Sequence, residues 1–303
     1  MEGSIPVIGG CTACGKTAAA IGLASLFPNI EIVSADSRQF YRGMNIGTAK
    51  PTEDELSRVR HHMISVAEPY ELLSAGWYAK AAMEVIEDVL DRGGIPLVVG
   101  GSALYIMSLA GLMDQLPERN GEIRQALETL ENQAPGALHR ILGAIDATEA
   151  ERIGETDRVR LVRSLEIALL SHEIPSVLKK GGAGDPRFRF VILEAGNTEL
   201  RSRIEQRTGS MINSGLVNEV RGLLERGIPE EPVLSATIGY SEIIDHLRGL
   251  CSLDEATRRI TVNTWRYARR QRNMFRRLPG AVRAPGDPDR LAEVLFGERI
   301  SNG

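Results

Sequence analysis

Cysteine is scarce. The 303 residues hold three, Cys11, Cys14 and Cys251, so one is left over if two pair. That is no disulfide scaffold, and it points to a reducing cytoplasm. No apolar run approaches the roughly 20 residues of a membrane span. The first residues are short of both the basic region and the long apolar core of a signal peptide, so no membrane association is expected. Internal repeats and low-complexity tracts are absent, which excludes solenoids and biased linkers. An excess of positive charge is missing as well. A net charge of -4 argues against a uniformly basic nucleic-acid binder, although not against a locally basic one. What remains is 43% hydrophobic with a mean hydropathy of -0.13, a globular chain with length for one large or two modest domains.

The strongest signal lies near the start, in Gly9-Gly10-Cys11-Thr12-Ala13-Cys14-Gly15-Lys16-Thr17. An apolar run at 5–8 leads in and a helix-like run at 18–27 leads out, which reads as strand, glycine-rich turn and helix. Glycines permit torsions and close approaches that let successive N–H groups point at one oxyanion. The helix start adds unpaired donors and partial positive charge. Lys16 can reach phosphates as a point charge, and Thr17 can offer a hydroxyl to Mg2+. The loop alone does not say which reaction follows.

A second short strand at 30–35 ends at Asp36-Ser37, where open α/β sheets place their chemistry. The polar, glycine-punctuated stretch 36–51 reads as an active-site loop. A short helix at 53–60 precedes His61-His62, which lack partners at zinc spacing, so packing or a phosphate contact is expected of them. An amphipathic helix at 74–90 leads to a buried-looking strand at 95–99, which runs into Gly100-Gly101-Ser102. From 117 the strand texture is lost and helices are expected at 118–131, 134–144, 148–153 and 158–170, closed by a glycine-rich stretch at 179–186. Strand texture resumes at 188–193, then helices follow at 199–207, 211–224, 240–247 and 253–275. Between 258 and 277 there are eight arginines and no acid; the choice is between RNA backbone contacts and a solvated helix face. The expected architecture is an α/β phosphate-loop core with a parallel sheet, an all-helical insertion and a helical C-terminal part. The expected boundaries are 1–116, 117–186, 187–278 and a tail at 279–303 with a short helix near 291–295.

At this point the residues carry a resemblance. The phosphate loop, the loop from Asp36 to Pro51, His61-His62, Val99-Gly100-Gly101-Ser102-Ala103-Leu104-Tyr105, Asp157 with Arg160, Arg163 and Glu166, Gly239-Tyr240, and Tyr267-Ala268-Arg269-Arg270-Gln271 resemble the tRNA dimethylallyltransferase family. The match runs in order over nearly the whole chain. It implies transfer of a dimethylallyl group from dimethylallyl diphosphate to N6 of adenosine 37 in tRNA, with Mg2+, by a monomeric enzyme. The resemblance assigns catalytic roles to Asp36, Thr12 and Arg207. It assigns the diphosphate to Gly10, Thr12, Ala13, Cys14, Gly15, Lys16, Thr17, Ser102, Arg203 and Arg207, with Thr17 toward the metal. The tRNA anticodon stem-loop falls to Ser37, Arg38, Gln39, Tyr41, Lys50, Arg160, Arg163, Arg266, Arg269, Arg270 and Arg272, and the insertion resembles a clamp on that loop.

Departures from the family pattern are Cys11 and Cys14 in the phosphate loop, Asn45 and Ser65 for aspartates, Trp265, Asn273 and Met274 in the last long helix, and Gly154-Glu155-Thr156 in a turn. Cys11 and Cys14 stand at a spacing used by redox dithiols, although small neutral fillers of the turn would look the same. Three alternatives compete: a free adenine nucleotide as acceptor, an ATP-dependent small-molecule kinase, and a non-catalytic tRNA-binding paralogue.

Overall fold

The computed structural model describes residues 4–114, 116–179 and 181–297. They fall into two compact units, 1–109 with 186–303, and 110–185. The larger unit is built on six parallel strands. These are β1 (Ile5–Gly10), β2 (Ile30–Ser34), β3 (His61–His62), β4 (Ile95–Gly100), β5 (Phe188–Leu193) and β6 (Val282–Ala284), in spatial order β3-β2-β4-β1-β5-β6. The expected fold class is borne out. β1 is buried along its whole length, as a strand covered on both faces must be, and its run of Ile5, Val7 and Ile8 shows no polar alternation. Helices α1 (Lys16–Leu26), α2 (Glu53–Arg58), α3 (Ala75–Asp91) and α4 (Ala103–Leu109) follow the first strands.

The smaller unit carries α5 (Gly121–Gln133), α6 (Ala137–Ile145), α7 (Ala147–Arg152), α8 (Arg158–Ser171) and α9 (Pro175–Leu178). Leu127, Leu138, Leu142, Leu161 and Leu165 form its core. One carboxylate is fully buried there. Glu166 accepts from the Asn120 amide at 2.7 Å, from Arg124 at 2.9 and 3.0 Å, and from Arg163 at 2.6 Å. Burial alone would raise its pKa, but the two guanidiniums and the amide outweigh that and hold it below the usual carboxylate range.

The chain then returns to the larger unit with α10 (Asn197–Asn213), α11 (Leu216–Glu225), α12 (Tyr240–Leu247), α13 (Leu253–Phe275) and α14 (Pro288–Phe296). Two segments depart from expectation. The stretch read as a tail completes the sheet: β6 pairs with β5 at Val191↔Val282, and Leu291 and Leu295 of α14 are buried in the core. Phe27 at the end of α1 meets Phe296 with ring centroids 4.8 Å apart. Three strand residues between prolines and glycines are too short a signal to register in the sequence. His61 and His62 form the edge strand, paired with Ile32 and Val33 of β2. His62 Nε2 lies 2.6 Å from Glu31, and His61 Nδ1 lies 2.7 Å from the Val59 carbonyl, so both serve packing.

The feature that positions the site is a close approach at the carboxyl end of β4. The Ala35 amide donates to the Val99 carbonyl at 2.8 Å, and the Ser102 amide donates to the Ala35 carbonyl at 3.1 Å. A Cβ on Gly100 would lie 2.1 Å from that same Ala35 oxygen. Since the obstacle is backbone, it cannot swing aside. Gly100→Ala is therefore expected to cost about 2 kcal/mol or more of stability, as overpacking does, and to shift the Asp36 loop. Denaturant midpoints within error of the parent protein would contradict this.

Candidate active site

The loop after β1 turns through two residues with positive φ, Ala13 at 61° and Gly15 at 97°. Gly15 is also the N-cap of α1, with no side-chain cap, so the first amides of that helix are left for a ligand. A non-glycine residue at Ala13 in this conformation is strained, as at many ligand clamps. Lys16 curls back over the loop, donating to the Cys11 carbonyl at 2.7 Å with Nζ 3.9 Å from Cys14 Sγ. Cys11 and Cys14 are free thiols, both buried. The hydrogen bond between them pushes the Cys11 pKa up and the Cys14 pKa down to about 6, with burial opposing the latter shift and Lys16 assisting it.

A cavity of about 940 Å³ opens in front of this loop. Thr12, Ala13, Gly15, Lys16, Thr17, Arg203 and Arg207 line it on the phosphate-loop side. Asp36, Ser37, Arg38 and Gln39 line it from the carboxyl end of β2, and Tyr267 and Arg270 from α13. Arg207 reaches Thr12 Oγ1 at 3.4 Å; burial lowers its pKa, while the charges of Asp36 and Cys14 pull it back up. Burial, and then the Asp36 charge, push the Tyr267 hydroxyl up to about 12. Asp36 thus shares one cavity with both the phosphate loop and Arg207. Its Oδ1 accepts from the Arg38 amide at 3.0 Å, which leaves Oδ2 for a substrate proton.

Not every expected residue faces the cavity. Gly10 and Cys14 support the turn from behind, and the Cys14 amide donates to the Cys11 carbonyl at 3.4 Å. Ser102 does not line the cavity; its hydroxyl accepts from the Ser37 amide at 3.0 Å and so fixes the acid loop. The expected RNA contact at Tyr41 does not hold, because its ring is buried and its hydroxyl donates to the Glu71 carbonyl at 3.0 Å. Arg163 is committed to Glu166 and to the Pro117 carbonyl at 2.7 Å. Arg272 braces the start of α10 through Asn197 Oδ1 at 2.5 Å and the Ala195 carbonyl. Lys50 lines the cavity, but it donates inward to the Tyr41 carbonyl at 2.5 Å, Asn45 at 3.1 Å and Ser65 at 2.8 Å. Burial among these neutral acceptors brings its pKa down to about 8. Arg160, Arg266, Arg269 and Arg270 are exposed, Arg160 beside Asp157 at 3.3 Å and Arg270 over the Tyr267 ring at 6.0 Å.

Two residues given no role by the sequence turn out to hold the site. The Glu219 carboxylate accepts from the amides of Asn45, Ile46 and Gly47 at 2.9, 2.8 and 3.2 Å, and from the Tyr240 hydroxyl at 2.5 Å. It anchors the loop that brings Gly47, Thr48 and Ala49 to the cavity. Gln271 binds the phosphate loop itself, accepting from the Thr12 amide at 2.8 Å. Gln271 closes a motif that carries the resemblance and Glu219 stands in none, but because their partners are distant in sequence no local spacing shows what either side chain holds.

Oriented donors aimed at a leaving phosphate, with a carboxylate across the same cavity, define a phosphate-loop transferase. The comparisons narrow this. The IPP transferase family pattern matches residues 39–278. The chain is 44% identical over 280 residues to the tRNA dimethylallyltransferase of Kosmotoga olearia, covering 92% of this chain and 90% of that one. It is 41% identical over 279 residues to that of Thermotoga maritima, covering 92% and 91%. The solved full-length tRNA isopentenylpyrophosphate transferase from Bacillus halodurans matches with a TM-score of 0.69 at 33% identity, over 95% of this chain and 91% of that one. The chain belongs to the IPP transferase family, and the resemblance read from its motifs is borne out.

If the loop after β1 is the diphosphate site, Lys16→Ala should weaken binding of inorganic diphosphate about 10- to 100-fold, the order for losing a charge-assisted hydrogen bond. Calorimetric titration reads this directly. Unchanged affinity would place the anion elsewhere.

Proposed function

We propose that this protein transfers a dimethylallyl group from dimethylallyl diphosphate to N6 of adenosine 37 in tRNA, next to the anticodon, and releases diphosphate. The observation that carries the reading is the single cavity shared by the phosphate loop and Asp36. As the allylic carbon–oxygen bond breaks, negative charge grows on the diphosphate. The loop amides, Lys16, Arg203 and Arg207 are placed to stabilise that charge, and donors of this kind act most strongly when already oriented. As the nitrogen–carbon bond forms, N6 must lose a proton, because an amine conjugated to adenine is a poor nucleophile while it keeps both. Asp36 accepts that proton. The base has to leave its stack to reach the cavity, which is cheapest from a single-stranded loop.

No group of three or more His, Cys, Asp or Glu side chains among the described residues could hold a metal ion by itself. The residues instead fit a Mg2+ bound mostly by substrate oxygens and water, with the Thr17 hydroxyl as a protein ligand. Such an ion would neutralise charge on the diphosphate. Among the described residues no helix is long and apolar enough to cross a membrane. The exposed arginines Arg266, Arg269 and Arg270 of α13 supply backbone contacts to the tRNA. The helical unit 110–185, with exposed Arg160, embraces the anticodon stem-loop.

The test is a parallel assay with donor and Mg2+ in which unmodified tRNA, AMP and a tRNA lacking adenosine 37 are offered, with products identified by mass. Product on the intact tRNA alone supports the reading. Product on AMP would move the acceptor to a free nucleotide, and tight tRNA binding without product would make the protein a non-catalytic binder. Asp36→Asn should lower turnover by about 10²- to 10⁴-fold, the usual order for a lost general base, with tRNA affinity little changed. Turnover within about threefold of the parent would remove Asp36 from the mechanism.

A further inference from the structure

Gln271 lies on α13, is 4% exposed, and has its amide divided between two loops that are far apart in sequence. Oε1 accepts from the Thr12 amide at 2.8 Å, and Nε2 donates to the Gly101 carbonyl at 2.8 Å. Thr12 belongs to the phosphate loop, while Gly101 precedes Ser102, whose hydroxyl holds the Ser37 amide beside Asp36. On the Gly101 side there is no room to spare: a Cβ on Gly101 would lie 2.5 Å from Nε2. Both ends of the side chain are therefore used, with opposite polarity, and the amide cannot flip without facing donor to donor and acceptor to acceptor.

From this we infer that Gln271 is a positioning residue for the transfer reaction. It acts through Thr12 on one side and through the Gly101-Ser102 loop on the other, setting the spacing between the diphosphate donors and Asp36. The inference rests on the proposed reaction for its kinetic consequence, but not for its structural one. Thr12 Oγ1 lies 3.4 Å from Arg207, so a tilt of the Thr12 peptide would move the hydroxyl away from the cation that faces the same cavity. A displacement of this size matters because reacting groups must be held within a fraction of an ångström. Gln271 also lines the cavity itself, unlike a buried polar group that holds only the fold, such as Ser164, whose hydroxyl is spent on Glu149.

The experiment uses the full chain with Gln271→Met, which keeps length and volume but neither accepts nor donates strongly. Thr12 amide exchange, measured by NMR, should quicken at least tenfold. The single-turnover rate at saturating dimethylallyl diphosphate and tRNA should fall about 10- to 100-fold, the scale of one or two lost buried hydrogen bonds. Affinity for tRNA should stay within about threefold. In a double-mutant cycle, adding Thr12→Ala should slow the reaction by less than the product of the two single effects, because the Thr12 arm of the Gln271 effect is then already lost. Unchanged exchange, a rate within about threefold of the parent, or effects that multiply in the cycle would each overturn the inference. If the parent protein forms no prenylated product, the proposed reaction falls, and the exchange result alone decides the positioning claim. Should the methionine variant fail to fold, Gln271→Glu replaces it: its carboxylate still accepts from Thr12 but repels the Gly101 carbonyl. Retained Thr12 protection with slowed transfer supports the inference, and a parental rate overturns it.

Discussion

The site depends on a contact between two backbones. β2 and β4 pair in parallel up to Ser34 and Val99, and the pairing continues beyond the strands through Ala35 and Ser102. Gly100 leaves room for the Ala35 carbonyl and for nothing else. With β4 also paired to β1, the turns after three strands are drawn to the same edge of the sheet. One of them presents anion donors and another presents a carboxylate. Parallel sheets gather strand ends in this way as a matter of topology, and the close approach at Gly100 sets the spacing.

Charge is arranged around that edge. The whole chain is slightly acidic, yet in the cavity Lys16, Arg38, Arg203, Arg207 and Arg270 outnumber the acids Asp36 and Glu55. Such a field favours an anionic donor and raises its local concentration. The same cations offset the negative charge of Asp36, so that it does not repel a diphosphate in the shared cavity. The buried ion cluster at Glu166 works differently. Its arginines Arg124 and Arg163 are paired with one carboxylate inside the helical unit, so their charges hold that unit together.

Much of this was legible in the sequence where chemistry and local periodicity coincide. The phosphate loop, the acid at the end of β2 and the long α13 follow from spacing and pattern, and α13 begins and ends where its apolar positions do. Residues whose role depends on distant partners were not legible. Tyr41 and Arg272 sit in stretches that look like a binding loop and a basic face, and only the fold shows that Glu71 and Asn197 claim them. Glu219 and Gln271 were missed for the same reason, because a helix residue reaching a loop 170 positions away leaves no local trace. The short β6 escaped because three residues carry too little pattern to distinguish strand from turn.

The central claim is that one cavity holds the diphosphate against the loop after β1 while Asp36 faces the reacting carbon. The most direct measurement is a crystal structure of the protein with Mg2+ and a non-reactive thiolo analogue of dimethylallyl diphosphate. The account predicts phosphate oxygens within hydrogen-bonding distance of Lys16, Thr17 and the amides that open α1, with the allylic chain directed toward Asp36. A diphosphate bound away from this loop, or an allylic chain directed away from Asp36, would contradict it.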